Sequence, residues 1–163
     1  MSITGILLAV AALGTTALFA LPQGDEDRRK AFAAPFEAME KAIKDKDEAG
    51  FKACWRPEGF EKNLVGGSGL PGKAVFEQGS RKKWFPKPDL EKAKVLEDGA
   101  AVIVPCEIWA WEKGRAVDKV DFLIVREKEG YRALGGGEKR DQVDALASRF
   151  LKKEPLEPPK EKD

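Results

Sequence analysis

Three groupings in this chain have residue types and spacings that chemistry uses. The first is Gly67-Ser68-Gly69-Leu70-Pro71-Gly72-Lys73, which matches the G-x-x-x-x-G-K part of a phosphate-binding loop. That loop needs a hydroxyl after the lysine to hold magnesium and a buried parallel strand in front of it. Here Ala74 follows the lysine, and Phe60 to Val65, the only stretch in front of the loop that could be a strand, is short and charged. The grouping therefore reads as a flexible loop that ends at a helix start. The second is Asp121 with Lys119 two residues before it, in an apolar run. An acid facing an apolar pocket would have a raised pKa and could serve as a proton-transfer base, with Glu107 or Tyr131 as further candidates. The same Asp121 beside a lysine could equally be one half of a salt bridge. The third is Cys54 and Cys106, which in an exported chain could form one disulfide worth about 4 kcal/mol, or remain two buried thiols. Cys-x-x-Cys does not occur, which argues against redox catalysis.

Composition narrows the chemistry further. The 163 residues contain no histidine, which removes the commonest general base and the commonest metal ligand, so no metal and no cofactor are expected. Lysine and arginine number 29 against 28 acids, a net charge of +1 that argues against a nucleic-acid binder.

The elements that must position these groups follow in order. Ile3 to Leu21 is an uncharged apolar run, so residues 1–20 read as a secretory signal peptide or a membrane anchor. Thr15-Thr16-Ala17 and Ala20 are the two candidate cleavage ends. Export is the expectation: periplasmic, extracellular or membrane-anchored. Residues 21–30 read as a charged hinge, 31–152 as one α+β domain, and 153–163, with three prolines among charges, as a disordered tail. Phe32, Phe36, Met39 and Ile43 recur at helical spacing, with Pro35 expected in the first turn. A short helix over Glu48 to Trp55 is expected to stop at Arg56-Pro57-Glu58-Gly59. A third helix is expected over Lys73 to Phe85, halted by Pro86 and Pro88. Gly135-Gly136-Gly137 reads as a hinge before a last amphipathic helix carrying Val143, Leu146, Ala147, Phe150 and Leu151.

Between them, Ala93 to Gly135 reads as an antiparallel meander of four strands, turned at Asp98-Gly99, Lys113-Gly114 and Glu129-Gly130. A two-residue turn after Glu112 would pair positions whose numbers sum to 227. That register puts Cys106 and Asp121 on one face, turned to the helices, and Trp109 and Trp111 on the other. Neither face is polar throughout, so the second should meet the last helix, a second subunit, or both.

This order of helix, short helix, short strand, helix and long meander, together with Ala42–Ala49 (Ala-Ile-Lys-Asp-Lys-Asp-Glu-Ala), resembles the nuclear-transport-factor-2-like superfamily, which includes SnoaL-like cyclases and ketosteroid isomerases. The resemblance covers about Ala31 to Gly135. It implies a curved antiparallel meander wrapped around N-terminal helices as a cone with a pocket, and often a homodimer through one sheet face. The isomerases' set of a pocket tyrosine and two aspartates is not matched, so their activity is not implied. On this reading Phe36, Met39, Trp55 and Asp121 would line a ligand pocket, and Trp109 and Trp111 an interface.

The function expected is therefore a non-catalytic exported domain that binds a small apolar ligand or a protein partner. A lyase- or isomerase-type enzyme using Asp121 is an alternative. So is a membrane-anchored assembly module, with membrane contact expected only if the N-terminal segment is retained.

Overall fold

A computed structural model describes residues 24–160; the apolar run and its cleavage sites lie outside the described residues. Helix α1 spans Asp25–Asp45. It begins earlier than expected, because Asp25, Glu26 and Asp27 lie in its first turn, where the helix dipole favours acids. The charged stretch 25–30 is thus helical and not a hinge, and Pro35 lies inside the helix and not in its first turn. The stripe Phe32, Phe36, Met39 and Ile43 is buried as expected.

Helix α2 (Glu48–Ala53) starts from Asp47, whose carboxylate accepts from Gly50 N–H at 2.9 Å. Helix α3 (Pro57–Glu61) replaces the expected break and short strand: Pro57 holds the first helical position, where its missing N–H costs nothing. Helix α4 (Gly72–Lys82) ends at Lys83, whose φ of 58° is left-handed. Strand β1 (Trp84–Pro88) follows, where helix had been expected as far as Phe85. A residue before proline is pushed to extended backbone, and this applies to both Phe85 and Lys87. Two prolines are tolerated because β1 is an edge strand.

The meander is present as β2 (Lys94–Leu96), β3 (Ala101–Ala110), β4 (Arg115–Glu127) and β5 (Gly130–Gly137). The curled antiparallel sheet has the order β1-β3-β4-β5, and β2 pairs further along the β3 edge that β1 occupies. The fold is α+β, with N-terminal helices, a half-barrel sheet and a C-terminal helix α5 (Arg140–Leu151). Gly135–Gly137 belong to β5, pairing with Leu123, Phe122 and Asp121, and do not form a hinge. A Cβ at Gly135 would come within 2.7 Å of Leu146 and 2.9 Å of Val65, so glycine there lets α5 and the 64–65 segment close on the strand.

The β3–β4 register differs from the expected one. Ala110 pairs with Arg115, so the turn has four residues, Trp111 to Gly114, with Gly114 at φ 60°. Trp111 leaves the strand to stack on Phe85, ring centroids 5.9 Å apart, and Glu112 ion-pairs with Lys83. A bulge then places Val117 as an extra residue between the Ile108–Asp118 and Trp109–Ala116 pairs. Beyond the bulge the sum of paired positions is 226, as in Cys106–Val120 and Val104–Phe122. A one-residue step turns every β4 side chain to the opposite face.

Two apolar clusters result. On the concave face, Val102, Val104, Cys106, Phe122 and Ile124 pack with the α1 stripe, Phe51, Trp55 and Phe60. On the convex face, Ala101, Ile103, Leu123, Val125 and Leu134 pack with Val143, Leu146 and Ala147 of α5. The convex face therefore meets the last helix, but Trp109 and Trp111, expected on that face, pack against the concave cluster instead. The free edge of β5 is closed from the α2–α3 junction, where Arg56 N–H donates to Ala133 O and Ala133 N–H to Cys54 O, both at 2.8 Å. The C-terminal residues 154–160 are not a detached tail. Leu156 packs on the convex cluster, and Glu157 O accepts from Arg149 at 2.7 Å. No helix among the described residues is long and apolar enough to cross a membrane.

Candidate functional site

The open end of the concave face holds a cavity of about 320 Å³. Its roof comes from α4, through Val75, Gln78 and Gly79, and from the glycine-rich loop, through Ser68 and Leu70. Trp84 to Pro86 form one wall, and Ile108, Val120 and Phe122 the floor. The β4 residues reach this side because of the bulge, which turns Asp118, Val120 and Phe122 inward together. The inner wall is apolar. Ser68, Lys82, Asp118 and Glu138, all exposed, form a polar rim. The glycine-rich loop thus serves as a wall: the residues before it form helix α3 and the buried Leu64 and Val65, with no parallel strand.

The sequence-predicted residues distribute differently. Phe36, Met39 and Trp55 are at most 1 % exposed and belong to the filled core behind the cavity. Trp55 contributes indirectly: its ring and that of Phe122 pack edge-to-face, centroids 6.0 Å apart, and the Trp55 indole N–H has no partner among the described residues. Asp121 pairs with Pro105, not Cys106, and faces the convex side, away from the cavity. Arg140 donates to both its oxygens, Nε to Oδ2 at 2.8 Å and a terminal nitrogen to Oδ1 at 2.9 Å. This hydrogen bond, with the carboxylate's charge, raises the Arg140 pKa, and the pair fixes the start of α5 to β4.

Glu107 pairs across the sheet with Lys119 and with Lys87. It shares with Asp121 a shallow charged groove of about 420 Å³, where Lys92, Lys119 and Arg140 face Asp89, Glu107, Asp121 and Glu138. Tyr131 is elsewhere: its buried hydroxyl donates to Gly99 O at 2.7 Å, and its ring meets Phe32 edge-on at 5.1 Å. Burial raises its pKa. The three catalytic candidates therefore do not converge, and two of them are held in structural pairs.

Cys54 and Cys106 are separate buried thiols, so the expected disulfide is not formed. Each donates to a nearby backbone carbonyl, Cys54 to Gly50 O and Cys106 to Val104 O. Burial pushes the Cys54 thiol up to about 11 and the Cys106 thiol well above its ordinary value. No group of three metal-ligating side chains occurs among the described residues. Trp109 and Trp111, the expected interface pair, are half-buried against the concave cluster, with Lys87 Nζ 4.5 Å over the Trp109 ring.

What the sequence missed is the lining itself: Val75, Gln78, Trp84, Ile108, Val120 and Phe122. The signal was present in the alternation of β4, but reading it requires the four-residue turn and the bulge. No protein-family model, no curated protein and no solved structure matches the chain significantly.

Proposed function

We propose that this chain is an exported, non-catalytic domain of the nuclear-transport-factor-2-like kind that binds a small apolar molecule. Its site is the cavity between α4 and the concave sheet. The observation that carries this reading is a 320 Å³ space with apolar inner walls and a polar rim, at the low end of the range of about 300–1,000 Å³ seen for small-molecule pockets. The order of helices and meander supports the family reading, and the apolar run from Ile3 to Leu21 supports export. The rim groups can hold a polar end of the ligand at the mouth while its body displaces water from the walls.

The test uses 1-anilinonaphthalene-8-sulfonate as the probe. The native chain is expected to bind it saturably at one site. Val120→Trp, which fills the floor, should weaken that binding at least about tenfold. Asp121→Asn, on the opposite face, should leave it unchanged. Equal binding by native chain and Val120→Trp, with unchanged thermal unfolding, would refute the assignment.

A further inference from the structure

The charge of this chain is nearly balanced, but its distribution is not. Segments 81–88 and 107–119 carry seven Lys or Arg against three acids. That is +4 within a chain of +1, leaving −3 for all the rest. The fold brings these segments together as the α4 end, β1 and the β3–β4 hairpin. Trp84, Ala110 and Arg115 lie side by side across three strands, and Trp111 N–H donates to Lys83 O. Lys113 and Arg115 at the hairpin tip are exposed and make no ion pair with any described residue.

Three of the four tryptophans occupy the same end, each half-buried with a lysine ammonium near its ring. Lys82 lies 4.4 Å from the Trp84 centroid, Lys87 4.5 Å from Trp109, and Lys44 5.9 Å from Trp111. Trp84 and Lys82 also line the cavity. Tryptophan rings capped by lysines suit the headgroup layer of a bilayer: the ring sits at the apolar boundary and the ammonium reaches phosphate. Basic residues beside them add attraction to anionic lipid that salt screens.

We propose that this end of the molecule, the β3–β4 hairpin tip with the Lys82–Trp84 corner, docks on an anionic phospholipid surface and turns the cavity mouth toward it. The contact itself rests on the charges and tryptophans. Only its use, exchange of an apolar molecule between bilayer and cavity, rests on the reading of the cavity as a ligand site.

The test is quenching of tryptophan fluorescence by vesicles whose acyl chains carry bromine, using the full chain. All four tryptophans lie within the domain, so the N-terminal apolar run contributes no fluorophore. Vesicles with about one-third brominated phosphatidylglycerol are expected to quench strongly at about 0.05 M salt and weakly at about 0.5 M. The double variant Lys113→Glu/Arg115→Glu should lose at least about two-thirds of the quenching. Its binding of 1-anilinonaphthalene-8-sulfonate in the absence of vesicles should be unchanged, which shows that the variant is folded. Equal quenching by brominated phosphatidylcholine, or undiminished quenching in the folded double variant, overturns the proposal. So does an oligonucleotide that displaces the chain from vesicles at about 0.15 M salt, which would assign the surface to nucleic acid. Failure of the cavity reading would appear separately, as loss of probe binding without vesicles.

Discussion

Cys54 and Cys106 both face the concave cluster, and desolvation dominates their titration. The Cys54 thiol ionises at about 11 in the folded chain, against an ordinary 9.0. Below pH 9 both folded and unfolded states hold the proton. As pH rises from 9.0 toward 11, the unfolded state gains thiolate that the folded state resists, so stability falls across that window. The urea midpoint should therefore be lower at about pH 10.5 than at about pH 8, with a smaller drop in Cys54→Ala. Thiol titration should find two groups that react only after unfolding, with or without reductant. A count below two on the denatured chain without reductant would mean a disulfide. Tyr131→Phe removes a buried hydrogen bond to Gly99 O and should cost about 1 kcal/mol. Asp121→Asn exchanges a two-pronged ion pair for a weaker contact, and at this partly buried site about 1 kcal/mol is again expected. The loss should appear in the melting of α5, with no loss of probe binding.

At the scale of elements, the α3–β5 contact is the tightest close approach. A Cβ at Gly59 would lie 2.0 Å from Leu134 O, a backbone atom that cannot rotate away. Gly59→Ala should cost at least about 2 kcal/mol, read as a fall in thermal midpoint, whereas the same change at the open Gly114 is limited to its left-handed backbone. Helical periodicity made the α1 stripe and the Val143–Leu146–Ala147 face legible from sequence, because both elements bury a single side. The strands and two of their turns were legible for a different reason, as apolar runs meeting at Asp98-Gly99 and Glu129-Gly130. The β3–β4 register was not, since it depends on Trp111 finding Phe85 and Glu112 finding Lys83, contacts between residues more than twenty positions apart. That one step moved Asp121 from the expected pocket to the α5 side and brought Val120 and Phe122 to the cavity floor. Strand β1 was hidden because Pro86 and Pro88 read as helix stops and carry no strand periodicity. The 154–160 segment was hidden because its attachment uses Leu156, an arginine–carbonyl bond, the Glu154 N–H on Arg149 O and Pro159 against Gly66, none of which has a periodic signature.

For the whole molecule, the sheet divides the interior into a helix-filled concave core and a convex layer sealed by α5, and the open end of the concave side holds the cavity. On the function proposed above, this cavity is the ligand site. Amide and indole chemical-shift mapping with 1-anilinonaphthalene-8-sulfonate tests it most directly. The shifts should concentrate at Gln78, Gly79, the Trp84 indole, Val120, Gly136 and Gly137, and should leave α5 and the Asp121–Arg140 pair in place. Shifts that gather on α5 or the charged groove, or no saturable shifts at all, would contradict it.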